Sequence, residues 1–330
     1  MGTEKWIGNP SQLIGIKRYR LSEGREKGVE CIDVDGMNGL SFTVAADRGL
    51  DISSLRFTGK NICYQGINGV TNPSFYTGTD QSRRENFFYG MLSTCGLENT
   101  GPGCTVDGKA YVQHGSLNQL PARDICLERP CGPSQPDVRI TGTITQYLFR
   151  EYHYVVHREI CYYDSSNELS VRDRVENRFY EEVPICIMYH YNFGYPFLTE
   201  ALKLKIPSKA VGCKNQDAKA GLGTMLEVTP PAAGYRPQVF YHSFEEEGWN
   251  EVVLENPLLS IGVRLSFHGS TLSRMNHWKM FGEQEYVLAL EPCNQFPYGR
   301  RALFERNCPK MLKPYETAEY QTKLEFFKCL

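Results

Sequence analysis

Four short segments of this 330-residue chain bring side chains that can exchange protons or donate hydrogen bonds to the end of a strand or the start of a loop. If residues 184–196 form a strand, the period of two sets Ile185, Ile187, Tyr189, Tyr191 and Phe193 on one face and Cys186, Met188, His190 and Asn192 on the other. Both faces begin apolar, so the strand lies between layers. The second face turns polar only at its end, where His190 and Asn192 point the same way. A cleft opening at that point accounts for the change, and so does a buried histidine bonded to Asn192 or to backbone. In residues 285–294, Tyr286, Leu288 and Leu290 share one face, and Val287, Ala289 and Glu291 the other. A carboxylate that ends a run of small apolar residues must be solvated, paired or shifted in pKa. Pro292 removes a ladder donor and is expected to stop the strand, leaving Glu291 at a rim open to a ligand. An ion pair with an arginine is the competing account.

His114 and Gly115 follow the Val106-Asp107-Gly108-Lys109 turn and lead from a strand into a loop, where ligand contacts often sit. Arg48 shares a face with Phe42, Val44 and Ala46, just before Gly49 allows a turn, and its competing account is a pair with Asp47 or Asp51. A carboxylate and an imidazole form a workable base and acid near neutral pH.

The elements that must position these groups are strands. Segments such as RITGTITQYLF, YHYVVHREICYY, ELSVRDRVENRF and AEYQTKLEFF alternate in polarity, and they are rich in Val, Ile, Thr, Tyr and Phe. Helical periodicity is nearly absent, with short helices expected only at 82–88 and 207–220. The fold class is all-β, many-stranded and antiparallel, as a large sandwich or a barrel. With no repeat, charge block or long linker, and only loop-sized Pro- and Gly-rich stretches at 129–136 and 221–237, residues 1–330 read as a single domain.

Composition removes several function classes. The 36 Lys and Arg balance 38 Asp and Glu, so nucleic acid is not an expected partner. Apolar runs are far short of the ~20 residues that cross a bilayer, so no membrane partner is expected either. The opening MGTEKWIGNPSQ has no basic segment leading into an apolar one, and Trp6 stands where a myristoylation signal needs Ser or Thr. Twelve cysteines without a CxxC pair, three of them (Cys31, Cys161, Cys186) in apolar strand-like segments, fit a reduced, cytoplasmic protein. Seven scattered histidines without an HExxH pattern give no metal site.

Taken in order, DRGLDI (47–52), YGMLSTCGLENTG (89–101), His114-Gly115, YHYNFGYP (189–196) and EPCN (291–294) resemble the aldose 1-epimerase family. More narrowly, they resemble the branch of the galactose mutarotase-like superfamily long filed as a domain of unknown function. The resemblance runs from IGNPSQLIG to the carboxy-terminal KPYETAEYQTKLEF. It implies a β-supersandwich holding a small-molecule carbohydrate in a cleft, without a cofactor. It assigns Glu291 as the base that takes the anomeric hydroxyl proton and His190 as the acid that protonates the ring oxygen. His114 becomes a sugar-hydroxyl contact, with Asn192 beside it as a further substrate-binding residue. Two departures stand out. The stretch that carries the family's sugar-binding arginine is replaced by YGMLSTCGLENTG, which makes Arg48 the candidate substitute. The asparagine of the HxYxN pattern moves to Asn192, next but one to His190. Asp217 is the candidate for the family's aspartate contact.

Other functions fit a large β-sandwich. A glycoside hydrolase or lyase would need a second carboxylate beside Glu291, for which Glu98 and Asp47 are the candidates. A cysteine nucleophile would be Cys95 or Cys293 with His114 or His190. A non-catalytic sugar-binding module would keep an aromatic platform such as Trp278 without both Glu291 and His190. Neutral, deoxy and anionic sugars, the last met by Arg48, Arg83 or Arg84, are all compatible, and nothing in the sequence sets the oligomeric state.

Overall fold

Alternation of buried and partly exposed side chains, the mark of a sheet with one wet face, is clearest in strands Val138–Leu148 and Thr317–Lys328. In the computed structural model, which describes residues 5–130, 132 and 134–329, these strands belong to an eight-stranded sheet. The sequence-terminal strand Thr317–Lys328 sits inside that sheet, between Ile261–His268 and Glu168–Asn177. A six-stranded sheet contains strands Ala210–Cys213, Gln238–Ser243, Arg274–Phe281, Tyr286–Cys293, Cys186–Gly194 and Leu92–Leu97, in that spatial order. A five-stranded meander covers Gly15–Asn61. The strand pairings of all three sheets are antiparallel.

The period-two reading of Cys186–Gly194 holds: all nine of its residues are buried. Ile187, Tyr189, Tyr191 and Phe193 enter the apolar core shared by the three sheets. There the Tyr189 hydroxyl donates to Asp173 at 2.7 Å, and the Tyr191 hydroxyl bonds Thr322 at 2.6 Å, tying the six-stranded sheet to the eight-stranded one. On the opposite face Met188 joins Cys95, Cys293 and the half-buried Phe87 in a small separate cluster.

The described α-helices are short, at Asp80–Glu85, Gln216–Ala220 and Arg300–Glu305. The first begins earlier than expected because Thr79 and Ser82 form a capping box. Of 207–220 only the last five residues are helical, since Ala210–Cys213 pairs as an edge strand with Gln238–Ser243. The loop expected at 129–136 has neither helix nor strand in its described part, and its Cys131 and Pro133 lie outside the described residues, as do residues 1–4 of the amino-terminal segment. No helix among the described residues is long and apolar enough to cross a membrane.

Candidate active site

The register of the six-stranded sheet assembles the site. Met188 pairs with Cys293 and Tyr191 with Leu290, so His190 stands across from Glu291 on the neighbouring strand. On the other side Glu291 pairs with Asn276. Three polar side chains thus lie in one row across three strands, on the face turned away from the core. The expected stop at Pro292 does not occur. The strand runs on to Cys293, and Glu291 is 1% exposed rather than at a rim, because Pro292 still pairs with Met275 on the adjacent strand.

Asn276 Nδ2 donates to Glu291 Oε2 at 2.7 Å, while Oε1 has no hydrogen-bond partner and lies 3.3 Å from His190 Nε2. Burial pushes the Glu291 carboxyl up to about 8, against the smaller opposing effects of the Asn276 bond and the Lys214 charge. Burial also pulls the His190 imidazole down to about 3. Near neutral pH the resting pair therefore holds one proton, favouring the carboxyl group, and carries no net charge.

This row forms one wall of a cavity of about 320 Å³, which Phe87, Tyr89 and Trp278 flank with aromatic surface. The volume is at the lower end of the roughly 300–1,000 Å³ usual for small-molecule sites. Trp278 and Tyr89 stack at 6.2 Å, and Phe87 sets an edge against His190 at 5.2 Å. His114 also lines the cavity, with its ring 6.0 Å from that of His190. Its backbone φ is +60 and that of Gly115 is +66, two successive left-handed residues. A Cβ on Gly115 would come within 2.3 Å of the Gly96 carbonyl, so only glycine fits there. The Gly101 amide donates to His114 Nδ1 at 3.3 Å, which leaves the proton on Nε2 as a donor. Burial keeps this imidazole neutral as well.

Of the residues expected at the site, His114, His190 and Glu291 come together. Arg48 does not. It is fully buried and bonded through Nε to the Asn118 carbonyl, Nη1 to Thr71, and Nη2 to the Asn86 carbonyl. Its guanidinium lies over the Phe88 ring. It makes no ion pair with Asp47 or Asp51 either: Asp47 accepts from the Glu30 amide, and Asp51 pairs with Arg158. Nor does Asn192 reach the cavity. Its Nδ2 donates to the Gly90 and His190 carbonyls, so it braces the backbone of the His190 strand. Asp217 is at the surface, paired with Arg236 at 3.1 Å.

Asn276, Phe87, Tyr89 and Lys214 belong to the cavity but do not stand out in the sequence. Only Asn276 left a usable signal: counting back across the 282–285 turn of the Arg274–Cys293 hairpin sets it opposite Glu291.

The cavity offers limited chemistry. Glu291 is the one carboxylate among its described lining residues. Glu98 is held by Ser116 and Gln146, so hydrolysis by two carboxylates lacks its second member. Burial pushes the Cys95 and Cys293 thiols up, away from the thiolate a nucleophile needs. No three His, Cys, Asp or Glu side chains among the described residues group as metal ligands.

A family model described as a domain of unknown function, DUF4432, matches residues 26–326. The chain belongs to the DUF4432 family. This DUF4432 protein is similar in structure to a candidate aldose 1-epimerase from Klebsiella pneumoniae subsp. pneumoniae MGH 78578, at 25% identity and a TM-score of 0.87 over 95% of this chain and 83% of that one. A galactose mutarotase-like protein from Clostridium acetobutylicum (15% identity, TM-score 0.66, 96% and 99% coverage) shares the fold. So does a galactose 1-epimerase from Lactobacillus acidophilus NCFM (11% identity, TM-score 0.62, 96% and 99% coverage). No curated protein matches the chain. The expected galactose mutarotase-like sandwich is the fold observed.

Proposed function

We propose that this protein is a cofactor-independent aldose 1-epimerase, in which Glu291 and His190 interconvert the anomers of a sugar by opening and closing its ring. The observation that carries the reading is their 3.3 Å juxtaposition in a cavity of monosaccharide scale. The two oxygens that exchange protons in mutarotation, the anomeric hydroxyl and the ring oxygen, are bonded to the same carbon. The groups that serve them must therefore be neighbours.

For ring opening the pair must enter its less favoured state, with the shared proton on His190 and Glu291 ionised. Glu291 takes the proton of the anomeric hydroxyl, His190 gives its proton to the ring oxygen, and the C1–O5 bond breaks to leave an aldehyde. Rotation about C1–C2 and the reverse transfers close the ring as the other anomer. After opening, the pair is protonated glutamate and neutral imidazole. That is the state favoured by burial of both groups, so desolvation stabilises the open-chain complex relative to the cyclic one. Nε2–H of His114 would donate to a sugar hydroxyl, and Trp278 and Tyr89 would offer apolar faces to the ring. Because side chains from all three sheets share one apolar core, the chain is taken to act as a single domain.

The test is anomer exchange of freshly dissolved aldoses, followed by magnetisation transfer between the α and β C1 protons. Acceleration over the spontaneous rate for at least one sugar is the expected result. Tight sugar binding without acceleration for any sugar in the panel would replace the reading with that of a binding module.

A further inference from the structure

Arg83 is 2% exposed, lines the cavity, and uses only Nε, which donates to the Gly115 carbonyl at 2.9 Å. Its Nη1 and Nη2 are buried without a hydrogen-bond partner, and no carboxylate among the described residues lies within ion-pair distance of it. The Cys95 thiol is the neighbour that most favours the guanidinium charge, but burial keeps that thiol protonated. Glu98, which makes no ion pair with Arg83, is bonded to Ser116 and Gln146 and is itself pushed up by burial. The guanidinium thus keeps a fork of free donors in a low-dielectric site, an arrangement costly to bury unless something completes it. Two more cations, Arg84 and Lys214, line the same cavity, whose one described carboxylate is Glu291.

Arg83 stacks 4.6 Å from the Phe87 ring, and Phe87 lies 5.2 Å from the His190 ring. The Phe87 ring thus touches both the guanidinium and His190, and Arg83 lines the same cavity as the acid–base pair, so a sugar with its anomeric carbon at His190 and Glu291 would bring another part of itself within reach of the unpartnered Nη groups.

Building on the epimerase reading of the same cavity, we infer that the substrate is a monosaccharide bearing an anionic substituent away from the anomeric carbon, held by the Arg83 guanidinium with Lys214 at the rim. A neutral hydroxyl could accept from one Nη group. A planar carboxylate or a phosphate accepts from two and supplies the missing counter-charge.

The experiment compares glucose, glucuronate and glucose 6-phosphate in the anomer-exchange assay, with calorimetric binding of each to wild type, Arg83→Gln and Lys214→Gln. At least one anionic sugar should exceed glucose tenfold in kcat/KM, and the arm that does so identifies carboxylate or phosphate. Arg83→Gln should raise KM for that sugar at least tenfold and collapse the preference. If Arg83→Gln does not fold, Lys214→Gln carries the test, with an expected loss of several-fold in the preference; an unchanged preference overturns the inference. Glucose turned over as well as both anionic sugars would also overturn it, while leaving the epimerase reading intact. Arg83-dependent binding of an anionic sugar without accelerated exchange would sustain the anion subsite and remove the epimerase. Neither exchange nor binding for any of the three would overturn both.

Discussion

The two faces of the Cys186–Gly194 strand bury ionisable side chains in opposite ways. On the core side Arg158 bonds Asp173 through Nε and Nη2 at 2.8 and 2.6 Å, Thr94 at 2.8 Å and the Gly49 carbonyl at 2.9 Å, and it also pairs with Asp51. Tyr189 and Thr94 complete the two carboxylates. On the cavity side Glu291 Oε1, His190 Nδ1, Asn276 Oδ1 and both Arg83 Nη atoms lack a hydrogen-bond partner. Each such buried vacancy costs about 1–3 kcal/mol. Where every valence is filled, buried charge fastens sheets together. Where valences are left open beside a cavity, the fold holds groups ready for a ligand.

That contrast separates variants that stop chemistry from variants that loosen the fold. Glu291→Gln and His190→Ala should each slow anomer exchange by roughly 10²–10⁴ while leaving the melting temperature and sugar binding near wild type. Loss of folding in both would put them on the same footing as the core group and erase the distinction. Asp173→Asn should do the reverse, lowering stability by about 3–5 kcal/mol in urea melts, because it leaves part of the buried Arg158 charge without its partner. If that variant remained fully stable, the claim that this cluster fastens the sheets would fail.

Arg48→Lys sharpens the comparison within one residue type. Lysine cannot reach the Asn118, Thr71 and Asn86 carbonyls at once, so stability should fall by about 1–3 kcal/mol with sugar affinity unchanged. Weaker sugar affinity at unaltered stability would return Arg48 to the site. The smallest effect concerns pH. The folded state holds the Glu291 proton up to about 8, whereas the unfolded chain releases it near 4.5. The native state therefore binds more protons across that window, and wild type should lose stability relative to Glu291→Gln as pH rises through it. Parallel stability curves for the two proteins would show that the carboxyl group titrates normally.

What the sequence could show was local. Alternation over residues 184–196 assigned both faces of the His190 strand, since a strand's side-chain period does not depend on its partners. The same arithmetic put Glu291 on the small-residue face of its own strand. Arg48 read as a site residue because period two gives its face but not what packs on it. The carbonyls that saturate it come from segments 23 to 70 residues away. Arg83 carried no distinguishing signal beyond its charge, because what marks it is the absence of a partner, a property only the assembled cavity defines. Pro292 misled for a related reason: the missing donor was tolerated within a strand flanked on both sides.

The central claim is that Glu291 and His190 act as one acid–base unit holding a single shared proton, and a double-mutant cycle on anomer exchange tests it most directly. Exchange rates would be measured for wild type, Glu291→Gln, His190→Ala and the double variant on whichever sugar wild type turns over. If the pair is one unit, the double variant should be no slower than the slower single variant, because removing either partner already disables both transfers. Losses that multiply in the double variant would show that the two side chains act independently and contradict the account.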